Sequence, residues 1–108
     1  MEEMIKVEKV RNGSECVLFV NGVLDYATMD PFVEHIRAVE DGTTKVTINF
    51  KELEFIDSTG IGAIINLAHE ANTRHFSVEL EGVDEETHEL FETIGVYQIL
   101  SALEEEGE

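Results

Sequence analysis

The chain has 108 residues, a formal net charge of -17 and a pI of about 4.3. This length suits one domain with its own hydrophobic core, and the only cysteine, Cys16, excludes an internal disulfide. The negative charge disfavours direct binding to nucleic acid or anionic membranes. No apolar stretch is long enough to span a bilayer, and residues 1–4 lack the apolar core of a signal peptide. We therefore expect a cytoplasmic protein.

The chain opens with a predicted β-hairpin. Residues 5–8 alternate apolar and polar side chains, as a half-buried strand does. Asn12 and Gly13 form a strong turn signal, and the apolar run of residues 16–20 follows it. Because this second run is apolar on both faces, we place it inside the sheet.

A first helix and a third strand come next. Asp30 is expected to cap the helix and Pro31 to occupy its first helical position, and Asp41–Gly42 is expected to end it. Its apolar stripe consists of Phe32, Val33, Ile36 and Val39. Residues 46–50 then alternate as a strand.

The second half predicts a helix over about residues 58–73, a strand over residues 76–80 and a helix that starts at the acidic residues 84–86 and stops at Gly95. A last short helix is expected over about residues 98–103. The order β-β-α-β-α-β-α predicts an α/β domain with a mixed sheet. Two strands have one clearly polar face, so the helices should pack mainly on one face of the sheet.

Residues 55–62 (FIDSTGIG) follow a strand and open the second helix. An Asp, Ser or Thr before an apolar helical stripe is an ordinary N-cap, so a purely structural role stays open. The segment also places the Ser58 hydroxyl at a helix start, where backbone N–H groups and the helix dipole favour a negative group. Ser58 is therefore a candidate phosphorylation site.

Three neighbours of Ser58 bear on that hypothesis. Gly60 and Gly62 have no side chains, so the backbone or active site of a partner could approach Ser58 closely. A phosphate would add a charge of roughly -1.5 to -2 without unfolding the domain. Asp57 adds a like charge, which should help the modified form reject an acidic partner surface.

Residues 22–28 (GVLDYAT) followed by a helix, together with residues 55–62, resemble the bacterial anti-sigma-factor antagonist family, which has the STAS fold. The resemblance extends from about residue 5 to about residue 103. It implies a single STAS domain over residues 1–108.

Other residues follow the pattern of that family or depart from it. Residues 82–83 before an acidic helix and residues 94–96 after it follow the family pattern. Asn49 departs from it, because many members have Asp at the end of this strand, and the charge around the site is expected to differ accordingly. Residues 104–108 are expected to form an acidic tail.

The resemblance also implies a function. The serine of the motif, here Ser58, is phosphorylated by a partner serine kinase that is also the anti-sigma factor. The unphosphorylated antagonist binds this kinase and releases a sigma factor for transcription, and a metal-dependent serine/threonine phosphatase resets the switch. No catalytic residue, cofactor or metal ion is expected in this chain. Thr59 is the less favoured modification site, and Asp25 shapes the partner surface. The expected partner-binding residues are Asp25, Asp57, Ser58, Thr59, Gly60 and Gly62.

Other functions have weaker support in the sequence. Residues 69–73 (HEANT) begin like a zinc-protease motif, but Thr73 stands where the second His is needed. Ser58 lacks a Gly-x-Ser-x-Gly elbow, and the chain has no Gly-x-Gly-x-x-Gly and no Walker lysine. A scaffold subunit of a signalling assembly and a small-ligand or nucleotide sensor stay open as alternatives. The net charge would attract a basic protein partner, or it only keeps the protein soluble.

Overall fold

The computed structural model describes the backbone of residues 5–106 and the side chains of residues 5–102. The expectation for residues 1–4 and the end of the acidic tail, residues 107–108, lie outside the described residues. The strands are β1 (Ile5–Asn12), β2 (Glu15–Leu24), β3 (Lys45–Asn49), β4 (Leu53–Ile56) and β5 (Ser77–Glu81). The helices are α1 (Met29–Arg37), α2 (Ser58–Arg74), α3 (Glu85–Ile94) and α4 (Val96–Glu106).

The strands form one mixed sheet in the order β1-β2-β3-β5, with β4 pairing β2 beyond the end of β3. β1 and β2 are antiparallel, from Ile5 opposite Gly22 to Asn12 opposite Glu15. The β2–β3, β2–β4 and β3–β5 pairs are parallel. The predicted mixed sheet and the inner position of β2 are therefore confirmed.

The hairpin turn lies one residue later than the Asn12–Gly13 signal suggested. Asn12 still pairs with Glu15, so Gly13 and Ser14 form the turn. Gly13 has a φ of 64°, in the region that the tight turns of two-residue hairpins require and that glycine adopts without strain.

The hydrophobic core lies on one face of the sheet, as predicted. Alternate residues of β2 are buried, and they pack with buried residues of all the helices from α1 to α3 and with Val96 at the start of α4. The opposite face carries exposed side chains such as Val10 and Phe19. Cys16 belongs to the core, and burial raises the pKa of its thiol. The buried side chains of β2 are Cys16, Leu18, Val20 and Leu24.

The start and end of α1 differ from the prediction. The helix begins at Met29 after Thr28, so Asp30 lies inside its first turn and does not cap it. The Thr28 hydroxyl, which donates to the Val23 carbonyl oxygen, orders the turn before the helix. Pro31 is the third helical residue and not the first, and it is tolerated there because the N–H groups of the first turn have no partner within the helix. The helix ends at Arg37, earlier than the Asp41–Gly42 signal suggested.

One strand, β4, was not predicted from the sequence. β4 has four residues, and the exposed side chains of Glu54 and Phe55 obscure its alternation. It forms because its backbone pairs with the last residues of β2. The last helix, α4, is also longer than predicted and includes residues 104–106 of the expected acidic tail.

Candidate functional site

Ser58 is the first residue of α2, and its side chain is exposed. Asp57 is the N-cap, and its carboxylate accepts a hydrogen bond from the Gly60 N–H at 3.0 Å. The first bond within the helix runs from the Ile61 N–H to the Asp57 carbonyl oxygen, at 3.0 Å. The N–H groups of Ser58 and Thr59 precede that bond, so they face the helix start, where they can donate to an anion.

The two sequence segments that suggested the family meet at one edge of the sheet. Leu24 ends β2 and pairs with Ile56, which ends β4, and the two strands are parallel. Their carboxyl ends are therefore neighbours, and the turn after β2 lies beside the start of α2. The Asp57 N–H donates to the Leu24 carbonyl oxygen at 3.4 Å and joins the two segments directly.

Asp25 holds the turn after β2 in shape. Its carboxylate accepts hydrogen bonds from the N–H groups of Ala27 at 2.9 Å and Thr28 at 3.2 Å. The Thr28 hydroxyl accepts from the Asp25 N–H at 2.8 Å and donates to the Val23 carbonyl oxygen at 2.8 Å. Asp25 therefore acts on the local surface by ordering the turn that carries the exposed residue Tyr26.

Two large exposed side chains near this edge were not singled out from the sequence. Tyr26 is 80% exposed in the turn after β2, and Phe55 is 54% exposed in β4. Both lie inside the segments that carry the family resemblance. The sequence around them mixes apolar and polar residues and gave no clear signal of this exposure. Thr59, the second hydroxyl, is half-buried and so less accessible than Ser58.

Gly60 has a packing role that was not predicted from the sequence. Gly60 is buried, and a Cβ atom there would lie 2.3 Å from the Leu24 carbonyl oxygen and 2.8 Å from a side-chain atom of Ile56. The missing side chain lets the first turn of α2 pack against the ends of β2 and β4. Gly62 is different, because a Cβ atom there would have no neighbour within 4 Å.

Asn49 is hydrogen-bonded to Glu81 and lies away from Ser58. Its amide nitrogen donates to the Glu81 carboxylate at 2.9 Å, and its amide oxygen accepts from the Lys51 N–H at 2.9 Å. Asn49 is opposite Phe19 of β2, whereas Ser58 follows Ile56, which pairs with Leu24 at the end of β2. The stretch of strand from Phe19 to Leu24 is roughly 16 Å long. The change in charge that was expected around Ser58 is therefore a change beside Glu81.

Two features are not found in the part of the chain that the structure describes, the backbone of residues 5–106 and the side chains of residues 5–102. No helix within residues 5–106 is long and apolar enough to cross a membrane. Among the described side chains, residues 5–102, no three His, Cys, Asp or Glu residues are grouped closely enough to hold a metal ion.

Comparison with known proteins gives regulatory relatives. The family model described as "STAS domain" matches residues 6–106. The anti-sigma-B factor antagonist of Listeria monocytogenes is 28% identical over 102 residues, which are 93% of this chain and 89% of that protein. The anti-sigma-B factor antagonist of Staphylococcus aureus is 27% identical over 82 residues, 75% of this chain and 76% of that protein.

Solved structures share the fold at low sequence identity. An anti-sigma factor antagonist from Mycobacterium paratuberculosis superposes with a TM-score of 0.71 at 19% identity, over 92% of this chain and 93% of that one. The phosphorylated form of the Bacillus cell fate determinant SpoIIAA gives 0.68 at 20% identity, over 87% and 86%.

The same fold occurs in other settings. A sulfate transporter family protein from Wolinella succinogenes gives a TM-score of 0.72 at 20% identity, over 91% of this chain and 78% of that one. A structure of Mglu is matched over 68% of this chain but only 19% of that one, with a TM-score of 0.63 at 20% identity. These likenesses establish the fold alone. Because the family model matches residues 6–106, nearly all of this chain, the chain belongs to the STAS domain family.

Proposed function

We propose that this protein is a cytoplasmic anti-sigma factor antagonist whose binding to a serine-kinase anti-sigma factor is switched off by a phosphate on Ser58. The observation that carries the proposal is the position of Ser58: an exposed hydroxyl on the first residue of α2. The names of the curated relatives from Listeria and Staphylococcus support the same role. The chain itself performs no chemistry in this scheme.

The fold can carry a phosphate at Ser58 without losing its core. The hydroxyl is exposed, whereas the nearby apolar residues Ile61 and Ile64 are buried on the inner side of α2. The N–H groups at the helix start and the positive end of the helix dipole stabilise added negative charge. The phosphate therefore changes the surface and leaves the packing as it is.

The same charge opposes binding of the partner. A phosphoserine carries roughly -1.5 to -2 charges at neutral pH. The Asp57 carboxylate is its immediate neighbour in the chain and stays occupied with the Gly60 N–H. A partner surface that fits the free hydroxyl would have to accommodate both the bulk and the charge of the phosphate. A loss of about 3 kcal/mol of binding free energy corresponds to a more than hundredfold weaker complex.

The partner surface extends from Ser58 to the turn after β2. Asp25 orders this turn, and Tyr26 projects from it into solvent. Asp57 and Thr59 flank Ser58, and Gly62 leaves the outer side of the first turns of α2 open. Gly60 contributes to the surface only through packing. A serine/threonine phosphatase that removes the phosphate restores the binding form.

The test is a phosphorylation assay with the serine-kinase anti-sigma factors encoded in the same genome, read by mass spectrometry of the intact chain and its peptides. We expect one phosphate, on Ser58. Ser58→Ala should abolish the modification and still bind the kinase. Thr59→Ala is the matched control, because it removes the neighbouring hydroxyl and should leave the modification in place. Phosphate transfer to Thr59, or none to either residue, would contradict the proposal.

A further inference from the structure

A groove lies between β4 and α3, close to the start of α2 that displays Ser58 but outside it. Its volume is about 410 Å³. Phe55 of β4 and Leu90 of α3 line it, and they are 54% and 37% exposed. Leu53 and Ile56 add further apolar surface. Contiguous apolar surface on a protein often marks a site of contact with a partner.

The groove is also strongly acidic. Its lining includes the carboxylates of Glu54, Asp84, Glu86 and Glu89, and none of its lining residues is basic. The carboxylate of Asp84 accepts a 2.7 Å hydrogen bond from the Thr87 N–H, and this bond lowers the pKa of Asp84. The groove therefore combines the exposed apolar side chains of Phe55 and Leu90 with four carboxylates, the acidic rim of the groove.

The charges decide which occupant fits. The chain's own acidic tail would place Glu104, Glu105 and Glu106 against a rim of the same sign. A second copy of the chain would bring a net charge of -17 to that rim. Like charges facing each other across an interface weaken it, and a positive surface is attracted and steered to a negative one. The complementary occupant is a partner segment with lysine or arginine around an apolar stripe.

We propose that the groove between β4 and α3 binds a basic amphipathic helix of a partner protein. Such a helix lays its apolar side chains against Phe55 and Leu90, which supply most of the affinity. Its basic side chains meet Glu86 and Glu89 on α3, which set its orientation.

The groove lies close to the start of α2, because Ile56 lines it and Asp57, the N-cap of α2, is the next residue. A partner that contacts Ser58 can therefore reach the groove with a second segment. The proposal goes beyond the phosphate switch and does not depend on it, since the groove contains neither Ser58 nor any residue of α2.

The test uses a synthetic peptide as the probe, a helix-forming 14-mer of leucine and lysine with leucines on one face. Its binding to the isotope-labelled full chain is followed by NMR chemical-shift mapping. The largest shifts are expected at residues 53–56 and 84–93. A peptide with the same lysines and serine in place of leucine should bind about tenfold more weakly, because it lacks the apolar face.

Charge variants of the chain provide a matched control. Glu86→Gln combined with Glu89→Gln should weaken binding of the leucine–lysine peptide by about fivefold. Asp30→Asn combined with Glu34→Gln removes the same charge from exposed positions of α1 and should change binding by less than about twofold. Leu90→Ser should weaken binding by about tenfold.

The proposal is overturned if the shifts spread over the whole acidic surface, if the serine peptide binds as tightly as the leucine peptide, or if both charge variants weaken binding equally. Absence of any shift in the groove at millimolar peptide also overturns it. Circular dichroism of each variant shows whether it is folded, so loss of structure is recognised separately. None of these results depends on the kinase assay, so failure here leaves the proposed phosphate switch to its own test.

Discussion

The backbone N–H of Asp57 donates a hydrogen bond to the carbonyl oxygen of Leu24 at 3.4 Å. This bond joins the residue that caps α2 to the end of β2, just before the turn that Asp25 orders. The same carbonyl oxygen is the atom that a Cβ at Gly60 would strike. One backbone group of β2 thus sets the position of the helix start that displays Ser58.

Substitution of the two motif glycines should have opposite effects on stability. Gly60→Ala places a Cβ atom 2.3 Å from the Leu24 carbonyl oxygen, so the helix start must shift, and the free energy of unfolding should fall by about 1–3 kcal/mol. Gly62→Ala meets nothing within 4 Å and should raise it by about 0.5–1 kcal/mol, because glycine inside a helix is entropically costly. Urea denaturation of both variants measures the difference. Equal effects would show that Gly60 is not held against Leu24.

The N-cap of α3 should give a pH-dependent contribution to stability. The hydrogen bond from the Thr87 N–H lowers the pKa of Asp84, so the folded state favours the charged carboxylate. The stabilisation is present above the unfolded pKa of Asp and is lost as the pH falls through the lower folded value. Asp84→Ala should therefore lower the melting temperature at pH 7, and the difference from the parent should shrink in acid.

Asp84→Asn is the control for that experiment. Asparagine also caps helices but does not titrate, so this variant should melt close to the parent at pH 7 without the acid dependence of this residue. Thermal denaturation between pH 2 and pH 7 follows both variants. An Asp84→Ala deficit that stays constant over this range would contradict the assigned cap.

A charge at Ser58 should be tolerated by the folded state. Ser58→Asp places a carboxylate at the first position of α2, where the helix dipole stabilises it. The free energy of unfolding should change by less than about 0.5 kcal/mol or rise slightly. Chemical denaturation and the near-ultraviolet spectrum check this. A large loss of stability would mean that a phosphate acts by unfolding the domain and not by altering its surface.

The elements with strong periodicity could be predicted from the sequence. The β1–β2 hairpin followed from the turn signal at Gly13, and the inner strand β2 from its apolar run. The apolar stripes of α1 and α2 located the core face, because helical spacing places such residues on one side. The Gly95 stop of α3 was also correct, and its φ of 86° shows why glycine is suited to it.

What could not be predicted depends on contacts between distant segments. β4 is short, and its exposed Phe55 gives no clear alternation, so only its pairing with β2 makes it a strand. The packing role of Gly60 depends on Leu24, far away in the sequence. The acidic groove between β4 and α3 needs both elements in place. The start of α2 near Ser58 was predicted correctly, because capping residues are a local signal, but the cap could have been Asp, Ser or Thr, and the structure assigns it to Asp57.

The affinity of the anti-sigma factor for the two forms of this chain tests the proposed switch most directly. Isothermal titration calorimetry would compare the unmodified protein with protein that carries one phosphate on Ser58, in the same buffer and salt. We expect the phosphorylated form to bind at least about a hundredfold more weakly, which corresponds to about 3 kcal/mol. Equal affinities for the two forms would contradict the switch.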